Sequence, residues 1–212
     1  MNLVKKAWLV RPYPHNKKRL DEFKTKNIVA VGWPGIGNLT GKSREELKDI
    51  LSKAPYNLSG LALGNAYAII DIFVNQMQTG DLVLVPDGDD IFFAEIISNY
   101  YHEPSVDNDT DGYPHQRTVI WLANTSRKQL TKELRSSLKV HRTTADLSRH
   151  SEEIDALAHG KLYKPADNTS GTVDISYPLR PNHVISFTIP TDMSQDEANR
   201  LSTYFASLYF VK

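Results

Sequence analysis

The sequence has no cysteine among its 212 residues. This absence excludes disulfide bonds, thiolate-bound zinc or iron–sulfur centres and cysteine nucleophiles, and it is typical of a reducing compartment. Long hydrophobic runs are also missing: residues 69–74 and 82–85 are far shorter than the roughly 20 residues that span a bilayer. The first residues form no apolar signal region. We therefore expect a soluble, cytoplasmic protein that does not associate with membranes.

Lysine and arginine are absent between Lys53 and Arg117, although the chain as a whole has a net charge of zero. Basic residues concentrate instead in two segments, residues 1–26 and 117–150, each of which has few acidic residues. If these segments meet in the fold, they form a patch suited to phosphate groups; two separate solvated surfaces are the alternative. The candidate phosphate-binding residues are Lys17, Lys18, Arg19, Arg127, Lys128 and Arg142.

Strand and helix patterns follow one another irregularly along the chain. Apolar and β-branched runs predict strands at 6–11, 27–33, 82–85, 91–98 and 117–122, the third and fourth forming a hairpin around residues 87–90. Apolar residues at helical spacing predict one long helix over 61–78. A hairpin requires antiparallel pairing, so the pattern predicts an α+β fold with a small, partly closed sheet.

The domain organisation follows from composition. Residues 1–160 contain most of the periodic segments and form the predicted main domain. Residues 161–182 contain three prolines and little periodicity, which predicts a linker. Residues 183–212 predict a strand followed by a helix, as a C-terminal extension.

Two motifs suggest ligand-binding loops, and both lack a required residue. Gly41, Lys42 and Ser43 stand where a phosphate-binding loop would begin its helix, but the first glycine of that pattern is replaced by Ile36. Residues 107–112 match the first half of a calcium loop, whose twelfth position should be a glutamate and is Thr118. A mobile polar loop therefore competes with an incidental calcium site.

No catalytic constellation is evident either. Asp87 and Glu95 have the order of a metal-dependent nuclease, but the lysine expected two residues after the second acid is Ile97. The seven histidines form no pair at ligand spacing on a helix face. We therefore predict a protein that is not an enzyme and needs no cofactor or metal.

Aromatic residues are frequent at strand ends, and Trp33 is the most suggestive of them. It ends a predicted strand directly before Pro34 and a loop with Gly35 and Gly37. Glycines allow a ligand to approach the backbone closely, and an aromatic face beside basic segments can stack an unpaired base. An ordinary core tryptophan is equally compatible with the local sequence.

Five ordered segments give the chain a resemblance to a known family. They are Trp8–Arg11, Val29–Trp33, Met77–Val85, Phe93–Ile97 and Arg117–Trp121. Their order and content resemble the PUA-like, EVE-type reader domains of modification-dependent restriction systems of the McrB and Mrr kind, over about residues 3–158. The resemblance implies a small PUA-like (EVE- or YTH-like) β-barrel flanked by helices, which holds a flipped, modified base in an aromatic cage.

By position, the resemblance suggests roles for individual residues. Trp33 would be a cage wall and Asn65 would read the base edge, while Trp8, Arg11 and Phe92 would line the pocket. Such readers are usually joined to a nuclease or an ATPase, which would then be a separate partner here. The same barrel occurs in proteins that read RNA, so the fold alone does not select DNA.

We therefore expect a non-enzymatic reader of modified nucleic acid, most simply of methylated double-stranded DNA in a restriction or phage-defence system. One rival is a protein-interaction or regulatory subunit that uses residues 183–212 to bind an effector or to form a homodimer. The other rival is a nucleic-acid hydrolase with an unrecognised site, for which Asp87 and Glu95 are the residues to test.

Overall fold

The computed structural model describes residues 5–163 and 171–208. The chain divides into two compact units, Met1–Tyr163 and Lys164–Lys212. Within the described ranges, no helix is both long enough and apolar enough to cross a membrane.

The first unit contains seven strands and five α-helices in its described residues. In chain order they are β1 (Ala7–Val10), α1 (Leu20–Lys26), β2 (Ile28–Val31), α2 (Arg44–Ser52), α3 (Gly60–Asp71), β3 (Leu82–Asp87), β4 (Asp90–Ile96), β5 (Tyr101–His102), β6 (His115–Ser126), α4 (Lys132–Ser137), β7 (Thr144–Asp146) and α5 (Ser151–Ala158). The fold is therefore α+β, as the sequence predicts.

All seven strands belong to one mixed sheet that curls into a half-barrel. The order is β2-β6-β4-β3-β1-β7, and β5 pairs with the first residues of β6. Only β1 and β3 run parallel to each other; the other pairs are antiparallel. The predicted hairpin is confirmed as β3 and β4, whose register pairs Asp87 with Asp90. A register shift opposite Phe93 and Ala94 leaves Leu122 of β6 as an extra residue, and this bulge bends β6.

Both faces of the central strands are buried. Trp8 and Val10 of β1 face a core that also contains residues of α2 and α3, while Leu9 faces a second core with Leu134 of α4 and Ile154 of α5. Successive residues of a strand point to opposite faces, so a strand covered on both sides is apolar throughout. This double burial holds β1 between the two cores.

The predicted helix over 61–78 is present but changes its geometry. After α3 the chain forms one turn of π-helix, Ile72–Gln76, and β3 begins at Leu82. The carbonyl groups at this end accept hydrogen bonds from the buried Arg117 guanidinium, at 2.8 Å for Phe73 and 3.0 Å for Val74. A cation at the C-terminal end of a helix opposes its dipole and satisfies its free carbonyls.

The second unit is a hairpin followed by a helix. It contains β8 (Thr172–Arg180), β9 (His183–Pro190) and α6 (Gln195–Ser207). The sequence predicts β9 and α6 but assigns residues 172–180 to the linker, and the structure corrects this. Val173, Ile175 and Tyr177 alternate at strand spacing opposite β9. The remaining part of the predicted linker, 164–170, lies outside the described residues.

Candidate nucleic-acid interface

Arg11 joins the two basic segments of the sequence. It follows β1, which pairs antiparallel with β7, and its backbone N–H donates to the carbonyl of Thr143 at 2.9 Å. Its guanidinium donates to the carbonyl oxygens of Leu138, Val140 and Arg142, at 2.7, 2.9 and 3.1 Å. One arginine therefore holds the loop between α4 and β7 against the end of β1.

A cleft of about 670 Å³ opens beside this contact. Its cationic and ionisable lining comes from both basic segments: Arg11, Arg127, Lys139, His141 and Arg142. Tyr13 and Asn16 line the cleft as well. We call this feature the arginine cleft.

The arginines of the cleft bond to neutral groups rather than to carboxylates. Arg127 donates twice to the carbonyl of Gly88, at 3.0 and 3.1 Å, and Arg142 donates to Oδ1 of Asn65 at 3.4 Å. Within residues 5–163 and 171–208, no carboxylate oxygen lies within 4.0 Å of the guanidinium nitrogens of these residues or of Arg11. Burial lowers the pKa of Arg11, and the neighbouring charge of Arg127 lowers it further. An anion bound in the cleft would raise the pKa of Arg11 and so offset both shifts.

The N-terminal phosphate candidates are placed differently. Lys17 pairs with Asp111 at 3.2 Å, Lys18 with Asp87 at 2.7 Å, and Arg19 with Asp111 at 2.6 Å. Both carboxylates come from the lysine-free stretch of the sequence, and none of the three cations lines the arginine cleft. These side chains are therefore already paired, which counts against their role as phosphate ligands. Lys128 is exposed beside Arg127 but does not line the cleft.

Trp33 lies just beyond β2 and is partly buried. Its φ of 71° is in the left-handed region, which bulky residues rarely adopt. Its ring centroid lies 5.0 Å from that of Tyr56, with the ring planes tilted by 58°. A base sandwiched between two rings needs parallel faces about 7 Å apart, twice the contact distance. The two rings are in contact, so a base would have to stack on an outer face.

A buried polar chain holds the backbone of Trp33. Nε2 of His115 donates to the Trp33 carbonyl at 3.0 Å, and Nδ1 accepts from the Tyr100 hydroxyl at 2.8 Å. Burial lowers the pKa of His115 to about 4, so the imidazole is neutral near pH 7. A neutral imidazole has a single N–H. It is at Nε2 here, because the Trp33 carbonyl can only accept a hydrogen bond. Beside it, Asp107 accepts from His102 at 2.9 Å and from the N–H of Gly35 at 2.7 Å.

The other predicted base-binding residues are dispersed. Trp8 is fully buried, and its indole N–H donates to Asp81 at 2.7 Å, so neither face of its ring is open to a base. Phe92 is partly buried, and Nζ of Lys24 lies 4.7 Å from its ring centroid. Asn65 is exposed and touches Arg142, which brings it to the edge of the arginine cleft.

Four residues of the site were not predicted from the sequence. Tyr13 lies in a Pro-Tyr-Pro-His segment that carries no recognised motif, and Asn16 follows it directly. Tyr56 and His115 approach Trp33 from segments 23 and 82 positions away. The only available signal was that Tyr13 is an aromatic residue within a basic segment.

The candidate metal and nuclease residues do not converge. Asp87 and Glu95 lie at opposite ends of the β3–β4 hairpin, because Asp87 pairs with Asp90 and Glu95 with Leu82. Five strand residues separate them, about 17 Å at 3.3 Å per residue, which is too far to share an ion. Across the part of the chain that the structure describes, no three histidine or acidic residues are grouped to hold a metal.

These features define an α+β domain with an arginine cleft between two basic segments and a strained tryptophan beyond β2. The chain belongs to the family described as Domain of unknown function (DUF8426), whose model matches residues 8–148. That range contains every predicted site residue and leaves out the second unit.

Comparison with solved structures gives matches of low similarity. One is the crystal structure of protein Atu2648 from Agrobacterium tumefaciens, 11% identical, with a TM-score of 0.35 over 76% of this chain and 97% of the other. At that similarity it carries no argument about function. Comparison with curated proteins gives no match.

Proposed function

We propose that this protein binds nucleic acid without cleaving it and that the arginine cleft holds the phosphate backbone. The single observation that carries the proposal is the convergence of Arg11, Arg127 and Arg142 on one cleft without carboxylate partners in the described residues. Arginine binds phosphate in a bidentate manner, and a cluster of arginines without counterions attracts anions strongly. On a chain of zero net charge, such a cluster is a local attractor for a polyanion.

The base-reading part of the proposal places an unpaired, modified base on the outer face of Trp33. The strained backbone of this residue supports the assignment, because such conformations persist where the surroundings enforce them and are common at ligand sites. His115 and Tyr100 provide that enforcement. Methylated DNA is the proposed target, in a restriction or phage-defence context with a separate nuclease or ATPase.

The finer fold assignment is part of the same proposal. All five segments that resemble the PUA-like, EVE-type readers overlap strands of the same sheet, namely β1, β2, β3, β4 and β6. A half-barrel built from these strands supports a PUA-like architecture for residues 1–160.

The experiment is a binding titration at several salt concentrations with Arg127→Gln and Arg142→Gln. We expect each variant to bind DNA more weakly than the wild type, and the slope of log affinity against log salt to fall by about 0.7 on single strands or about 0.9 on duplexes. Arg11 is less suitable for this test, because its loss would also free the loop of residues 138–143.

Arg135→Gln is the matched control, since Arg135 is an exposed arginine of α4 that does not line the cleft. We expect its affinity and salt slope to equal those of the wild type. The proposal would be contradicted if the DNA affinity of the wild type did not depend on salt. It would also be contradicted if all three variants lost the same amount of affinity.

One observation favours a second function, protein interaction through the second unit. Its hairpin and helix form an apolar cleft of about 540 Å³, lined by Tyr177, Leu179, Ile185, Phe187, Phe205 and Leu208. Exposed apolar surface of this kind is typical of partner-binding elements. Here an effector subunit or a second copy of the chain would be bound by residues 171–208, separately from the arginine cleft.

A further inference from the structure

The segment Tyr13–Asn16 lines the arginine cleft in an unusual conformation. Its short 3₁₀ turn, Pro14–Asn16, contains two successive residues in the left-handed region, His15 with φ 53° and Asn16 with φ 60°. Histidine and asparagine adopt this region more often than most side chains do, but usually as single residues, so two in succession indicate a constraint from the surroundings. The His15 ring provides one such constraint, with Nε2 3.0 Å from the carbonyl oxygen of Gly112.

Tyr13 presents its ring from this segment in a fixed orientation. Its hydroxyl donates to Asp87, whose other oxygen binds Nζ of Lys18 at 2.7 Å. The residue remains 37% exposed even though its hydroxyl is bound. A tethered hydroxyl reduces the rotamer freedom that stacking would otherwise remove.

The other lining groups complete a nucleotide-sized arrangement. Arg11, Arg127 and Arg142 line the same cleft as Tyr13 and Asn16. A volume of about 670 Å³ lies within the range of about 300–1,000 Å³ that small-ligand sites occupy. Neither Trp33 nor Phe92 lines this cleft.

We propose that the arginine cleft is itself a subsite for an unpaired nucleotide, in which Tyr13 stacks on the base while the arginines hold its phosphate. In this arrangement Asn16, which lines the same cleft, would contact the polar edge of the base. This inference rests on the proposed function, and it adds a second stacking residue that is separate from Trp33. Stacking on an aromatic ring together with cationic contacts to phosphate is how proteins bind single-stranded nucleic acid.

The test compares two oligonucleotides of about 12 residues, one with bases and one whose residues are abasic, because the abasic strand retains only the phosphate contacts. We expect Tyr13→Ala to weaken binding of the base-bearing strand by about tenfold, within the range measured for loss of one stacking face. On the abasic strand we expect Tyr13→Ala to match the wild type. Tyr13→Phe keeps the ring and loses only the bond to Asp87, so it should stay within about threefold of the wild type on both strands.

The matched control is Tyr204→Ala, because this exposed tyrosine of α6 lines neither the arginine cleft nor the apolar cleft of the second unit, so both affinities should be unchanged. Equal losses for Tyr13→Ala on both strands, no loss on either, or a Tyr13→Phe variant as weak as Tyr13→Ala would overturn the inference. Circular dichroism and thermal unfolding of each variant verify the fold.

A further arm separates the two sources of an unpaired nucleotide. If the single strand binds more tightly than a duplex of equal length and Tyr13→Ala weakens that binding, the ligand is a single strand. If the duplex binds more tightly and Tyr13→Ala weakens that binding, the ligand is a nucleotide extruded from a duplex. If the wild type binds neither, the proposed function fails and this inference fails with it. If it binds through Arg127 and Arg142 while Tyr13→Ala has no effect, only this inference fails.

Discussion

Trp33 combines an uncommon backbone conformation with a buried support. The left-handed conformation of a bulky residue costs about 1–3 kcal/mol and must be offset by the groups around it. His115, which is fully buried, accepts from Tyr100 and donates to the Trp33 carbonyl. Such an arrangement keeps the ring beside Tyr56 in one place, which is what a stacking surface requires.

Trp33→Ala tests whether the ring stacks on a base. We expect the variant to lose about 1–3 kcal/mol of affinity for a duplex that carries a methylated base, the usual effect of removing one stacking face. Fluorescence anisotropy with methylated and unmethylated duplexes of equal sequence measures this. The wild type should prefer the methylated duplex, and the variant should lose that preference.

Trp121→Phe provides a control for this measurement, because Trp121 is also a partly buried tryptophan of the sheet. It should leave the preference for the methylated duplex intact. Equal affinity of wild type and Trp33→Ala for both duplexes would remove Trp33 from the site.

His115 should make the protein less stable in mild acid. Burial lowers its pKa from 6.5 to about 4, so between these values the unfolded chain binds a proton that the folded chain does not. The free energy of unfolding therefore falls as the pH falls through 6.5, and the loss stops below about pH 4. Between pH 7 and pH 5 this contributes a loss of about 2 kcal/mol.

Urea unfolding of the wild type and of His115→Asn at both pH values measures this contribution. The variant should be less stable at pH 7, because the carbonyl of Trp33 loses its donor. Its further loss on acidification should be smaller than that of the wild type by about 2 kcal/mol. His102 and Asp107 face His115 and are present in both proteins, so their contributions to the pH dependence largely cancel in the comparison. An identical pH dependence would show that His115 is not the responsible group.

At the scale of elements, the sequence predicts most of the first unit because local patterns determine it. The β3–β4 hairpin follows from two apolar runs around residues 87–90. The full length of β6, His115–Ser126, is not predicted, since its ends contain polar residues whose pairing partners are distant in sequence. β8 was missed because Pro178 and Pro181 mask its alternation, although proline is tolerated in an outer strand.

The elements also explain why the arginine cleft was only partly predictable. Antiparallel pairing of β1 with β7 brings residues 11 and 143 together, and this pairing cannot be deduced from periodicity. Arg127 and Arg142, which the charge pattern suggested as phosphate-binding residues, both line the cleft, and so does Arg11, which was suggested only by resemblance. Lys17, Lys18 and Arg19 were chosen by charge alone, and their acidic partners, Asp87 at the end of β3 and Asp111 in the loop before β6, lie about 70–95 residues further along the chain.

For the whole molecule, a neutral net charge conceals a divided surface. The acidic stretch neutralises the cations of residues 17–19, whereas the arginines around β1 and β7 have only neutral partners among the described residues. The described residues thus contain a local cluster of arginines without carboxylate partners, and long-range attraction of a polyanion should be weak. Binding would then depend on contacts within the cleft more than on overall charge.

The two units should be separable in function. Both main cores draw their buried residues from positions 7–158, and every residue of the arginine cleft lies between positions 11 and 143. A chain of residues 1–163 should therefore fold alone and bind DNA within about threefold of the full chain, a difference of about 0.6 kcal/mol. Anisotropy titrations of both chains measure this, with thermal unfolding to verify that the shorter chain is folded.

The same truncation distinguishes nucleic-acid binding from the rival interaction function. If residues 164–212 dock a partner protein, their removal abolishes capture of that partner and leaves the DNA affinity intact, because the apolar cleft of the second unit shares no lining residue with the arginine cleft. A folded chain of residues 1–163 that no longer binds DNA would contradict the separation. In that case the second unit would belong to the nucleic-acid interface.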